Sequence, residues 1–308
     1  MLEGAGEVAI GDLRVNRVGY GAMRLTGRGI WGPPLDPDAA AALLRRAVEL
    51  GVELIDTANS YGPEVSEELI ARALHPYPDG LLIATKGGLT RPGPGRWTPQ
   101  GHPEHLRAAC EGSLRRLRVE RVDLYQLHRP DPAVPYEESV GALAELRAEG
   151  KIRHIGVSNV DREQLDRALG VTGIVSVQNR YNVADRRFQD VLEACERLNL
   201  AFLPWAPLDS GGAAGRSGAI GRIATVHGAT RAQVALAWLL HVSPAVAPIP
   251  GTASVPHLES NVAAAKLELS DEEMAELASV RPSANATAIT RRLRNRAGRA
   301  ARRLGLRR

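Results

Sequence analysis

Between residues 17 and 264, short apolar runs of strand length alternate eight times with stretches of helical periodicity, and few folds accommodate that rhythm. The strand-like runs are 17–21, 53–56, a run ending at Lys86, 122–128, 152–158, 174–179, 201–205 and 246–250. The helix-like stretches between them carry one apolar face each. In 38–50 it is Leu43, Leu44, Ala47 and Val48, closed by Gly51; in 103–117 it is Leu106, Cys110, Leu114 and Leu117. Strict alternation predicts a parallel sheet with helices outside it, and eight repeats predict α/β architecture closed as a (β/α)8 barrel. Residues 8–10 and 13–15 flank Gly11-Asp12 and read as an N-terminal β-hairpin; 271–279 reads as an extra C-terminal helix. One barrel over 1–280 is therefore expected, followed by an Arg-rich tail over 281–308.

With 44% apolar residues, the chain can fill a sizeable core. Cys110 and Cys195 are its only cysteines, both on apolar helix positions, so a disulfide framework is not expected and a reducing compartment fits. The first seven residues lack the basic and apolar regions of a signal peptide. The longest apolar runs, such as 234–240, fall far short of the ~20 residues of a membrane span. A cytoplasmic protein without a membrane span is expected. The net charge of +4 misleads, because residues 291–308 hold nine arginines and no acid, which leaves the body mildly acidic. No nucleic acid is expected on the barrel. The tail sets Leu293, Ala297, Ala300 and Leu304 at near-helical spacing among its arginines, a narrow face that supports at most weak contact with anionic surfaces.

The chemistry is expected where strands open into loops at the C-terminal end of the barrel. Asp56 ends the second strand, Lys86 the third and His128 the fourth, and Tyr61 lies five residues beyond Asp56. Singly, Asp56 reads equally as a turn cap, Tyr61 as packing under a loop and His128 as a satisfied core histidine. Lys86 is harder to dismiss, since the chain uses three lysines (Lys86, Lys151, Lys266) against 36 arginines. A compact ammonium whose pKa can shift suits a place beside a phenol, whose own pKa in water is ~10. Together the four converge on one mouth, and no metal site is expected there.

In these motifs, Ile55-Asp56-Thr57-Ala58-Asn59-Ser60-Tyr61-Gly62, Leu124-Tyr125-Gln126-Leu127-His128, Gly156-Val157-Ser158-Asn159 and Ile249-Pro250-Gly251-Thr252, the sequence resembles the aldo-keto reductases over about residues 8–280. The resemblance implies hydride transfer from a reduced nicotinamide to an aldehyde or ketone. Tyr61 would donate the proton, Lys86 would lower the tyrosine's pKa, Asp56 would hold Lys86 charged, and His128 would hydrogen-bond the carbonyl oxygen. It also implies that Ser158, Asn159 and Gln178 meet the nicotinamide carboxamide, that Trp205 stacks on its ring, and that Leu208 opens a glycine-rich loop toward the pyrophosphate. Gly21, Ala22 and Met23 are expected on the same coenzyme wall. Gly251 and His257 stand where NADPH-preferring members often carry lysine and arginine, while Thr252 and Asn261 are retained. NADPH is favoured and NADH is possible, with the grip on the 2′-phosphate partly dependent on a protonated His257.

Arg28, Trp31, Trp97 and Arg129 are expected to recognise the small-molecule carbonyl substrate. The combination of Gly21-Ala22-Met23, Trp31-Gly32-Pro33-Pro34 and Ser60-Tyr61-Gly62-Pro63 is similar to a bacterial branch that includes pyridoxal reductases, so pyridoxal is a candidate. Two rival readings stay open. In one, Lys86 is the Schiff-base nucleophile of a lyase or aldolase; in the other, the barrel is a non-catalytic subunit that keeps the cofactor site.

Overall fold

The computed structural model describes residues 4–209 and 218–280. The chain begins with an antiparallel hairpin, β1 (Glu7–Ile10) and β2 (Leu13–Asn16), registered Val8 to Val15. Gly11 turns it at φ +65, a conformation that only glycine adopts without strain. Then follow β3 (Tyr20–Gly21), α1 (Pro37–Glu49), β4 (Leu54–Asp56), α2 (Val65–Leu74) and β5 (Leu82–Gly87). A second hairpin, β6 (Leu89–Gly93) and β7 (Arg96–Pro99), precedes α3 (Pro103–Leu117), β8 (Val122–Leu127), α4 (Tyr136–Ala148), β9 (Ile152–Ser158) and α5 (Arg162–Val171). The remainder is β10 (Ser176–Gln178), α6 (Gln189–Arg197), β11 (Ala201–Phe202), α7 (Gly218–Val226), α8 (Arg231–Val242), α9 (Val255–Ala263) and α10 (Asp271–Ala278).

The parallel sheet runs β3-β4-β5-β8-β9-β10-β11. Residues 246–250 close it into the expected (β/α)8 barrel. On one side Phe202 donates to Ala245 O at 2.8 Å and Ala247 donates back to Phe202 O at 2.9 Å; on the other, Gly19 donates to Pro248 O at 2.9 Å and Gly21 to Pro250 O at 3.4 Å. The return bond to Gly19 would come from the N–H of residue 250, which is a proline and has none. The eighth strand is thus complete in position and half-complete in hydrogen bonds.

Alternation along each strand divides the core. Leu54, Leu82, Ala84, Leu124, Ala201, Leu203, Ala247 and Ile249 point into the barrel, where Val8, Ile10 and Val15 of the hairpin plug its N-terminal end. Ile55, Ile83, Tyr125, Leu127, Ile155, Val157, Val177 and Phe202 point outward, to the helices. The helices are capped as their sequences suggest: Asp161, Thr230 and Ser270 each close a capping box, and Arg17 donates to the carbonyls of Ser243 (2.9 Å), Val246 (3.0 Å) and Leu240 at the end of α8.

Two elements depart from expectation. The proline- and glycine-rich stretch 88–101, which the strand–helix alternation leaves without an element, holds the β6–β7 hairpin, and α7, from Gly218, is a helix beyond the glycine-rich loop that the alternation does not include. The middle of that loop and the Arg-rich tail lie outside the described residues. Among the described residues no helix is long and apolar enough to cross a membrane.

Candidate active site

Strand parity carries the apolar interior into a polar layer at the C-terminal end. Two residues beyond Leu54 comes Asp56, two beyond Ala84 comes Lys86, and beyond Leu124 come Gln126 and His128 on the same face. Register sets Lys86 beside Gln126, Gln126 beside Gly156 and Gln178 beside Ser158. A Cβ on Gly156 would lie 2.9 Å from Gln126 Cγ, so glycine there leaves the room through which Gln126 reaches across the barrel.

Lys86 is fully buried and Asp56 is 2% exposed. Lys86 Nζ donates to Asp56 Oδ1 at 2.7 Å, to Thr57 O at 2.8 Å and to the Tyr61 hydroxyl at 3.5 Å. The other carboxylate oxygen accepts from Gln178 Nε2 at 2.7 Å and Gln126 Nε2 at 3.3 Å. Burial works to discharge Lys86, but Asp56 and Tyr61 outweigh it and the net shift is upward, so the ammonium is charged at neutral pH. A charged, ion-paired amine cannot attack a carbonyl, which opposes the Schiff-base reading. Burial also raises the Tyr61 phenol; the Lys86 charge opposes that rise without reversing it. The resemblance implies a Lys86 that lowers the tyrosine's pKa, and Lys86 does pull it down by charge and by hydrogen bond, but the balance runs upward because desolvation exceeds what one ammonium returns. The phenol is protonated at neutral pH, as a proton donor must be.

His128 meets Tyr61 edge-to-face at 5.8 Å and Trp97 at 6.2 Å, and Trp97 meets Tyr61 at 6.1 Å. Burial, followed by the charges of Lys86 and Arg129, holds the imidazole pKa well below 6.5, so it is neutral. Its Nδ1 lies 3.4 Å from Ser60 Oγ. Next along the sheet, Ser158 Oγ donates to Gln178 O at 2.7 Å, and Asn159, at φ +59, donates from Nδ2 to His128 O at 3.0 Å.

These groups line a cavity of about 700 Å³, with Gly21, Met23, Ser158, Asn159, Gln178, Trp205, Leu208, Gly251, Trp97 and Arg129 in its wall. A second cavity of about 930 Å³ shares Met23, Arg24, Gly251 and Leu208 with the first and is lined by Arg28, Thr252, His257 and Asn261. Between the two, a Cβ on Gly251 would lie 2.6 Å from Gly21 O, so paired glycines let the two loops touch. The outer cavity holds Arg24, Arg28 and His257 with no acid among its described lining residues, and the start of α9 faces it. An elongated polyanion fits this pair of cavities.

Four placements differ from the sequence reading. Arg28 lies on the outer cavity and not with the catalytic groups, because its loop is pinned to Gly62 through Gly32 and to the β6–β7 hairpin through Gly29 and Ile30. Ala22 is buried in a 3-10 turn behind Gly21 and lines neither cavity, and Trp31 lines neither. Gln178, expected on a coenzyme amide, commits its Nε2 to Asp56.

Sequence reasoning missed Gln126 and Arg91. Gln126 could have been found by parity, two residues before His128. Arg91, on β6, stacks on Trp97 with 3.7 Å from its guanidinium carbon to the ring centroid. It also donates to the carbonyls of Ile30 (2.8 Å) and of Gly29, Ser60 and Arg96 (2.9 Å each), tying three loops together.

A model of the Aldo/keto reductase family matches residues 17–282. Over 273 residues, 89% of each chain, the sequence is 48% identical to an uncharacterized oxidoreductase of Schizosaccharomyces pombe. It is 42% identical over 274 residues to pyridoxine 4-dehydrogenase of Escherichia coli, covering 87% of this chain and 96% of that relative. An aldo-keto reductase from Klebsiella pneumoniae, crystallised with NADPH, is similar in structure with a TM-score of 0.76 at 31% identity, covering 90% of this chain and 96% of that one. With a family model spanning nearly all of the barrel and relatives 42–48% identical over 87–89% of the chain, this chain belongs to the aldo/keto reductase family.

Proposed function

We propose that this protein reduces an aldehyde or ketone to an alcohol with NADPH, and that pyridoxal is among its substrates. The observation that carries the reading is the buried Asp56–Lys86–Tyr61 chain ending in a cavity beside a neutral His128. The nicotinamide supplies the hydride when bound. Tyr61 gives its proton to the carbonyl oxygen, and Lys86, charged and fixed by Asp56, stabilises the phenolate that this leaves. With Nδ1 of His128 turned to Ser60, Nε2 is the nitrogen left to donate to the same oxygen.

Trp205, Ser158 and Asn159 take the nicotinamide end. The Asp56 carboxylate fixes the orientation of the Gln178 amide, which leaves Oε1 as the atom available to the carboxamide. Gly21, Met23, Leu208 and Gly251 admit the pyrophosphate, and Thr252, His257, Asn261 and Arg28 take the adenosine end and its 2′-phosphate. Trp97 and Arg129 form the substrate wall. This division of labour belongs to the barrel, residues 1–280, with 281–308 as an appendage outside it. Support for pyridoxal comes from the relative named pyridoxine 4-dehydrogenase and from the indole wall, on which a planar aromatic aldehyde stacks.

The test combines coenzyme titration, followed by tryptophan quenching, with turnover of pyridoxal by wild type and Tyr61→Phe. Expected are saturable NADPH binding in both and loss of turnover in the variant by several orders of magnitude. A Tyr61→Phe protein that loses coenzyme binding together with activity would assign the tyrosine a structural role. An absence of pyridoxal turnover with other aldehydes reduced would remove that substrate alone.

A further inference from the structure

Four arginines stand around the catalytic cavity, and three have an evident occupation. Arg180 donates to Asp185 at 2.9 Å and Asp209 at 2.7 Å. Arg91 is spent on four carbonyls and Trp97. Arg24 sits exposed on the rim shared with the outer cavity, where water solvates it. Arg129 differs from all of them. It follows His128 directly, it is half-buried in the cavity wall, and among the described residues nothing hydrogen-bonds or ion-pairs with it. Burial alone acts on its guanidinium, with no carboxylate opposing.

A guanidinium cannot escape this cost by losing its proton, so the desolvation stands uncompensated until a ligand supplies acceptors. Its planar fork matches an anionic oxygen pair or a phenolate with an adjacent acceptor. The surrounding wall of Trp97, Tyr61 and His128 suits a flat ring. We propose that Arg129 is the subsite for an anionic oxygen of the substrate, so that this active site selects aromatic carbonyl compounds bearing a carboxylate or phenolate close to the carbonyl group. The inference rests on the carbonyl-reductase reading above and narrows it. Pyridoxal, whose phenolic oxygen neighbours its aldehyde, is one member of the class.

Removing charge at constant shape tests it. With saturating NADPH, wild type is given 3-carboxybenzaldehyde against its methyl ester, and 2-hydroxybenzaldehyde, ionised at pH 9, against 2-methoxybenzaldehyde. At least one anion should be preferred over its neutral partner by about tenfold or more in kcat/KM, mostly through KM; which pair responds separates carboxylate from phenolate. Arg129→Gln should collapse that preference to within about twofold, and Arg129→Lys should restore part of it. A preference that survives in Arg129→Gln, or that wild type never shows in either pair, overturns the assignment. Benzoate against benzamide, followed by tryptophan fluorescence in the presence of NADP+, reads the same subsite without turnover. If wild type bound benzoate selectively yet reduced no carbonyl compound, the reductase reading would fail and the anion subsite would stand. If it reduced neutral aldehydes and ignored charge, the subsite would fail alone. Should Arg129→Gln not fold, the wild-type pairs and Arg129→Lys still decide.

Discussion

Replacing Asp56 with asparagine changes one atom in the middle of the buried polar layer. Asp56 Oδ1 accepts from Lys86 at 2.7 Å and Oδ2 from Gln178 and Gln126 at 2.7 and 3.3 Å, so every neighbour of this carboxylate is a donor. Asparagine offers one oxygen and one NH2 group. If the oxygen faces Lys86, the NH2 confronts two glutamine NH2 groups; if it is turned over, the NH2 confronts an ammonium. Either way a fully buried cation loses its counter-charge, a change that costs about 3–5 kcal/mol. Urea unfolding should therefore show Asp56→Asn less stable by about that amount, with an unchanged slope. Lys86→Met removes the cation instead, and Asp56 keeps its two amide donors, so its cost should be smaller. The double variant should recover about 2 kcal/mol relative to the sum of the singles. A loss below about 1 kcal/mol for Asp56→Asn, or additivity within about 0.5 kcal/mol, would refute the pairing as the organiser of this layer.

Three further outcomes are expected. Arg28→Ala should weaken NADPH about three- to fivefold and NADH hardly at all, and His257→Ala should weaken NADPH more than NADH; paired titrations with the two coenzymes check both. Arg91→Met removes four carbonyl bonds and a stacked indole partner, so stability should fall by about 2 kcal/mol, and the near-ultraviolet dichroism of Trp97 should change. His128 has its pKa depressed in the folded state, so the unfolded chain takes up the proton first and stability falls as pH drops below about 6.5. The slope is at most about 1.4 kcal/mol per pH unit, and His128→Asn should remove it from the measured profile.

Much of this layout was legible because a parallel barrel reads its strands by parity. Once Leu54, Ala84 and Leu124 are taken as interior, Asp56, Lys86, Gln126 and His128 must follow on the same face and at the same end. Tyr61 needed more, since its loop geometry depends on Asn59 N–H reaching Lys86 O at 3.3 Å across the sheet. Arg91 was hidden because its partners Gly29, Ile30 and Ser60 come from two other loops, which no local pattern brings together. Its hairpin left a trace, Leu89-Thr90-Arg91 and Arg96-Trp97-Thr98 about Pro94-Gly95, but the prolines spoke for a loop. Arg28 misled for the opposite reason: charge and loop position suit either cavity, and only the bonds that tie its loop to Gly62 and the β6–β7 hairpin decide. Gln178 shows a residue type with two credible partners, where proximity to a carboxylate settled which one holds its NH2.

Closure at residues 246–250 has a dynamic corollary. There Gly19, Gly21, Phe202 and Ala247 carry the few amide bonds that keep the cylinder shut, while Gly21, Pro250 and Gly251 also line the cavity in which the proposed function seats the coenzyme. A molecule lying across those lips spans the weakest line of the sheet, so occupancy and closure draw on one free energy. Amide hydrogen exchange at Gly19, Gly21, Phe202 and Ala247 should slow on coenzyme binding more than at β8 and β9, whose continuous ladder has no such gap. The prolines that weaken the last strand thereby turn it into the place where the barrel registers its load.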